Sequence, residues 1–315
     1  MKKLLVILLS ISLFTACENE PLEGEFIGAD IPVDNEGNGD GTGSDSADLT
    51  LNVYELDTDI SFSFFGIPFQ TITRSDANIS NNIITSSNIE ISVNDSPFES
   101  ETQTITRNGS GQITSDISVN SSGETTNEYI ITYTNGQISQ ITYDYFEDDL
   151  DDYIYNFTYN GNVITRTEVG SSISTVFTLN TNNQIIKKES FDGTTSIQVE
   201  TITYNSDGNC SNSITSGETN NTISYTYDTF ESPLKVIFDD QYILSFLNDD
   251  YSDEIGYTLA QFHASKNWNG VNINGAAFNF DLQYNASNRI STRNISYNFD
   301  GELTFVFSET FNYTN

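Results

Sequence analysis

Basic residues are scarce in this 315-residue chain: 11 Lys+Arg stand against 45 Asp+Glu, a formal charge of −34. Nucleic-acid binding draws its affinity from Lys and Arg neutralising phosphates, so that class is excluded. There is one histidine, which rules out a His-rich zinc site and leaves His263 alone to serve any Ser-His-Asp triad. Its setting, Gln261-Phe262-His263-Ala264, reads as a helix flank with a structural or solvated role. No Gly-rich phosphate loop and no nucleophile elbow is present. Carboxylates are so abundant that no pair is singled out for glycoside hydrolysis. The chain therefore reads as non-catalytic. Apolar runs are short as well. The longest, Leu4 to Phe14, would reach about 16 Å as a helix, half of a ~30 Å hydrocarbon core. What the chain has in quantity is Tyr (17) and Phe (21), too much aromatic content for a wholly disordered polymer.

Met1, Lys2 and Lys3 precede that run, and Thr15-Ala16-Cys17 follows it, the layout of an export signal. Leu13-Phe14-Thr15-Ala16-Cys17 resembles the lipobox of bacterial lipoproteins. The resemblance implies cleavage before Cys17, a diacylglycerol thioether on its sulfur and a further acyl chain (palmitate or similar) on its amine. Two or three chains anchor stably where one does not. Removing Lys2 and Lys3 takes the charge from −34 to −36. Lipidation would consume one of only two cysteines, leaving Cys210 unpaired and no disulfide framework. Cys210 reads as a half-buried strand residue with no basic neighbour to activate it. Residues 17–48 then form a flexible tether, with ten acidic and no basic residues from Glu18 to Asp48. Glu18 and Glu20 resemble the surface-export signals of Bacteroidota lipoproteins, implying the outer membrane and its outer face; a generic solvated tether is the alternative.

The body, residues 49–315, reads as all-β. Asn108-Gly109, Asn135-Gly136, Asn160-Gly161, Asp192-Gly193, Asp207-Gly208 and Asp300-Gly301 are hairpin signals, because Asn, Asp and Gly tolerate the positive φ of tight loops. Centring on Asn135-Gly136 pairs Tyr133 with Ile138, Ile131 with Gln140 and Tyr129 with Thr142. Centring on Asn160-Gly161 puts Tyr153, Tyr155, Phe157 and Tyr159 on one face, opposite Ile164 and Arg166, with Ile154, Thr158, Val163, Thr165 and Thr167 on the other. The expectation is an antiparallel meander forming a large curved sheet or barrel, both faces partly covered. One grammar recurs: Tyr133-Thr-Asn-Gly-Gln-Ile, Leu179-Asn-Thr-Asn-Asn-Gln-Ile, Tyr204-Asn-Ser-Asp-Gly-Asn and Tyr284-Asn-Ala-Ser-Asn-Arg-Ile. It resembles the tyrosine-aspartate repeats of bacterial surface proteins, and more nearly a group of Bacteroidota lipoproteins of unknown function with a porin-like β fold. That group carries no established activity. One segment breaks the strand period: Ser252-Asp253-Glu254 is placed to cap a helix within 252–266, with Ile255, Leu259 and Phe262 on one side.

The densest acidic loop holds Glu147, Asp148, Asp149, Asp151 and Asp152, oxygen ligands of the kind Ca2+ takes. Asp249, Asp250, Asp253 and Glu254 form a second such group. Trp268 between Asn267 and Asn269, together with Tyr153, Tyr155 and Tyr159, has the chemistry of a glycan platform; packed side chains are the plain alternative. Function narrows to a lipid-anchored structural or interaction module that contacts envelope proteins. The alternatives are a glycan-binding accessory of an uptake system and a Ca2+-stabilised adhesin-like module. No cofactor other than Ca2+ is indicated.

Overall fold

The computed structural model describes residues 50–64, 67–146, 152–299 and 303–314. Nineteen strands occur among them: β1 (Thr50–Phe64), β2 (Ile67–Ser80), β3 (Ile83–Val93), β4 (Glu99–Arg107), β5 (Ile113–Asn120), β6 (Thr125–Thr134), β7 (Gln137–Tyr145), β8 (Tyr153–Asn160), β9 (Val163–Glu168) and β10 (Ile173–Leu179), then β11 (Ile185–Asp192), β12 (Thr195–Tyr204), β13 (Cys210–Gly217), β14 (Asn221–Glu231), β15 (Lys266–Ile273), β16 (Ala276–Asn279), β17 (Asp281–Tyr284), β18 (Ile290–Phe299) and β19 (Leu303–Thr314). Each pairs antiparallel with its sequence neighbour, and β1 pairs with both β2 and β19. At the one remaining seam, β16 pairs back to β15 while β17 pairs forward to β18. The meander is thus a nearly closed barrel, which removes the open edges that a sheet of this size would otherwise expose.

The turns explain the recurring grammar. Asn108 Oδ1 accepts the backbone N–H groups of Ser110 and Gln112 at 2.9 and 3.1 Å. Asn180 does the same for Asn182 and Gln184, and Asn285 for Ser287 and Arg289. Such a side chain closes the turn as a backbone carbonyl would. The fourth residue of each turn needs positive φ, which Gly111 (81°), Asn183 (60°) and Asn288 (57°) supply. Outside the turn, the Tyr204 hydroxyl donates to the Ile185 carbonyl of the preceding hairpin, and Tyr133 donates likewise to Ile113, both at 2.7 Å. Gln184 Nε2 reaches forward to the Gly208 carbonyl at 2.9 Å. Tyr, Asn and Gln therefore lace consecutive hairpins together at one end of the barrel.

The 134/137 hairpin keeps Tyr133 opposite Ile138, but a bulge beyond it pairs Ile131 with Ile141 and Tyr129 with Tyr143. The expected partners Gln140 and Thr142 are each off by one residue. The extra residue of the bulge moves the register so that Ile131, Ile141, Tyr129 and Tyr143 share one buried face. The 160/163 hairpin has the expected faces: Tyr159 opposes Ile164, and Phe157 opposes Arg166.

Inside the ring lies the β14–β15 connection. It holds α1 (Leu234–Ile237), a 3-10 turn at Asp239–Gln241, α2 (Tyr242–Asn248) and α3 (Gly256–Phe262). Every residue of α3 is buried, so it has no solvent side. Ile255, Phe246, Leu247, Leu259 and Phe262 pack with inward residues Tyr54, Ile164, Phe177, Ile185 and Ile223 into one core. Burying such side chains contributes about 1.5–3 kcal/mol each. The barrel is filled by its own chain.

Candidate functional site

The plug is clasped by polar side chains from adjacent strands. Arg166 on β9 donates to the carbonyls of Leu247 (3.1 Å) and Asp249 at the C-terminus of α2. Lys188 on β11 donates to the carbonyls of Asp250 and Asp253 at 2.7 and 2.6 Å. Ser190 and Gln198 bind the carbonyls of Tyr251 and Ser252. Glu200 on β12 accepts the N–H groups of Ile255 (2.7 Å) and Gly256 (3.0 Å) at the start of α3. Cations at one helix end and a carboxylate at the other match the two helix dipoles. Burial, then the charge of Glu254, pushes the Glu200 carboxyl up to about 7. Burial lowers the Lys188 ammonium and raises Asp249. Of the second acidic group, Asp249 thus lies in the field of Lys188 and Arg166, and Glu254 accepts from the Asn221 amide at 2.8 Å.

On the other flank, α2 stands off from β4–β7 and leaves a cavity of about 40 Å³. Ile105, Ile113, Ile131, Ile141 and Leu244 give it apolar walls. Asp116, Tyr129, Gln241, Ser245 and Asn248 supply the polar groups. Asp116 is 9% exposed and accepts Gln103 Nε2 at 2.7 Å; burial raises its carboxyl to about 7 against the lowering effect of that bond. Gln241, 4% exposed, has no hydrogen-bond partner for its Nε2 among the described residues. A more open cleft of about 430 Å³ lies at the far end of β1 and β2. The Phe62 and Phe69 rings, 4.9 Å apart, sit there beside Gln70, Asn94 and Asp95.

The residues singled out from sequence are dispersed. Trp268 is 1% exposed, with its indole N–H on the Gly270 carbonyl and Arg293 over its ring, so it offers no open face to a sugar. Tyr153 and Tyr155 stack at 4.3 Å inside the barrel, Tyr153 donating to Asn248 and Tyr155 lying under Arg166. Tyr159 is half-buried on the same inward face. Of the acidic loop only Asp152 is described, accepting the Tyr145 N–H at 2.7 Å; Glu147, Asp148, Asp149 and Asp151 lie outside the described residues, as do Cys17, the tether and Asp300-Gly301. Among the described residues no three His, Cys, Asp or Glu side chains are grouped to hold a metal ion. Cys210 is fully buried rather than half-buried, and burial raises its thiol. His263 ends α3, packed edge-on against Tyr242, and burial holds it down at about 3, a neutral core residue. Asp116, Gln241 and the clasp were not singled out by the sequence. An Asp, a Lys and a Glu at inward strand positions were the available signal, readable only once the hairpin faces are assigned.

No family model matches the chain, and no curated protein matches it. Solved structures that the chain matches include two porin-like proteins. One is a porin-like protein from Bacteroides uniformis, 9% identical, covering 84% of this chain and 98% of that one at a TM-score of 0.46. The other is a porin-like protein from Bacteroides vulgatus, 10% identical, covering 84% and 99% at a TM-score of 0.24.

Proposed function

We propose that the protein is a non-catalytic, lipid-anchored module of the outer membrane, exposed at the cell surface, whose barrel stands in water and conducts nothing. One observation carries this reading: the barrel is filled by its own chain, and its strands carry charged pairs on their outward face. A membrane-spanning barrel needs an outward apolar band about 25 Å tall with aromatic girdles, around a polar lumen. Here the outward row at the middle of β1–β3 is Asp57, Arg74 and Glu90, paired in register, with Arg74 and Glu90 3.6 Å apart. On β11 the outward Lys187 and Glu189 form an ion pair at 2.6 Å. Thr165, Thr201 and Thr203 continue that surface. An outward Arg at a bilayer midplane costs roughly 2–4 kcal/mol, before its carboxylate neighbours are counted. Attachment then falls to the acyl chains that the resemblance at Cys17 implies. Thr50, the first described residue, pairs with Thr314. The test is carbonate washing of membranes and planar-bilayer recording. The expected result is wash-resistant wild type, released Cys17→Ala protein and no current steps. Discrete conductance, or Cys17→Ala protein that stays integral, overturns the reading.

The second reading, a glycan-binding accessory, rests on the Phe62/Phe69 cleft, where two rings lie beside amide and carboxylate groups suited to sugar hydroxyls. It expects Phe62→Ala to abolish retardation in polysaccharide affinity gels; retardation equal to wild type would remove it.

A further inference from the structure

The geometry points to a binding site for a compact organic amine in the cavity between α2 and β4–β7, with the Asp116 carboxylate as its counter-ion. This assignment is independent of how the protein is anchored.

The cavity has a carboxyl and no cation. Among the described residues no Lys or Arg nitrogen forms an ion pair with Asp116; the nearby Arg107 binds Asp240 at 2.7 Å and the Ile84 carbonyl at 2.8 Å, its Nη2 has no partner, and its charge lowers the Asp116 carboxyl without offsetting burial. The other buried cations are likewise engaged, Arg166 and Lys188 by plug carbonyls and Arg293 by Glu309 at 2.6 Å. A buried carboxyl without a partner is costly to ionise, and an entering ammonium removes that cost. The Asp116 carboxyl already accepts from Gln103, which orients it. Tyr129 adds an aromatic wall, a surface that attracts cations.

The second polar requirement lies across the cavity. Gln241 presents an amide nitrogen with no partner, so the occupant needs an oxygen acceptor near its amine. Asn248 and Ser245 are spoken for: Asn248 Oδ1 accepts the Tyr153 hydroxyl, and Ser245 donates to the Gln241 carbonyl. Between these two points the lining is Ile and Leu, which suits a short methylene stem. At ~10–15 Å³ per water, 40 Å³ holds about three waters or an equivalent small body. The chemical class is a short amino alcohol or similar amine with a neighbouring oxygen. A charge of −34 favours cations at the mouth and repels carboxylates of the same size.

The sign of the pH dependence follows. An ammonium–carboxylate pair needs Asp116 ionised, so binding strengthens as pH rises through about 7. A carboxylic acid held by a protonated Asp116 would show the reverse. The experiment is calorimetry and protein-observed NMR on the whole chain, with ethanolamine as probe and glycine and acetate as comparators. Expected are saturable ethanolamine binding at pH 8, roughly tenfold weaker at pH 6, with no saturation by either carboxylate. Asp116→Asn should abolish binding in a protein that still melts cooperatively. Leu244→Trp, which fills the cavity, should do so without touching the carboxyl. No saturable ethanolamine binding, equal binding by Asp116→Asn, or preferred acetate binding overturns the assignment.

Discussion

Glu200, Asp116 and Asp249 have carboxyls raised by burial, the first two to about 7. For an acid raised in the folded state, the folded protein binds the proton more tightly than the unfolded chain does. The ionisation cost is then greatest above pH 7 and relieved as pH falls toward the ordinary carboxylate range. His263 works in the opposite direction: held at about 3 when folded, it costs stability once the unfolded chain takes up its proton below about 6.5. The melting temperature should therefore rise as pH is lowered from 8.5 through 7 toward 5, most steeply below about 7, with His263 offsetting one acid's share below about 6.5. Each acid contributes on the order of 1 kcal/mol per pH unit once the pH is below its raised value. Glu200→Gln should remove part of the slope, at the expense of one of the two hydrogen bonds to Ile255 and Gly256. A melt by circular dichroism across that range checks both expectations. At this scale the turn residues were legible in the sequence. Asn180 and Gly208 do what their local chemistry predicts, because an Asx turn and a positive φ are decided within five residues. The roles of Asp116, Lys188 and Glu200 were not, since their environment is made by residues more than fifty positions away.

At the scale of elements, α1 and α2 went unanticipated, whereas α3 falls within the expected 252–266 span. The expected Ser252-Asp253-Glu254 cap is absent; Ile255 occupies the N-cap position, and Glu200 from β12 supplies the acceptor instead. A helix capped by another element carries no cap motif of its own. Nor does it show one apolar stripe, because α3 is enclosed on all sides. The clasp should accordingly be what holds the plug. Lys188→Met removes the ammonium that binds two carbonyls and faces buried Asp249, leaving acceptors and a carboxylate uncompensated at a cost of about 3 kcal/mol or more. Limited proteolysis should then cut first near residues 247–256, with the strands persisting longer. Cleavage elsewhere first, or an unchanged denaturation midpoint, would show that apolar packing alone retains the plug.

For the whole molecule, the proposed reading assigns solubility to the filled barrel and attachment to the N-terminal segment. On that reading a chain beginning at Leu49 should be monomeric and detergent-free in solution. Sedimentation analysis decides it. Oligomers or a need for detergent would mean that the outward surface has an apolar band after all. Isolated outward residues such as Ile130 (42% exposed) and Ile214 (49%) do not make one, since they are separated by Thr and Ser neighbours.

The amino-acid order by itself determined the strand class, most hairpin positions and the two-faced Tyr/Thr alternation, because turn chemistry and period-two patterning act over a few residues. Only the closed tertiary structure decided which face is inside, since alternation is symmetric until something fills one side. The filling segment, residues 232–265, does so by meeting side chains from β9 to β12 that no local rule brings together. The same closure buried Trp268 and Tyr155, opened the Phe62 cleft and left Asp116 facing an unfilled space beside α2.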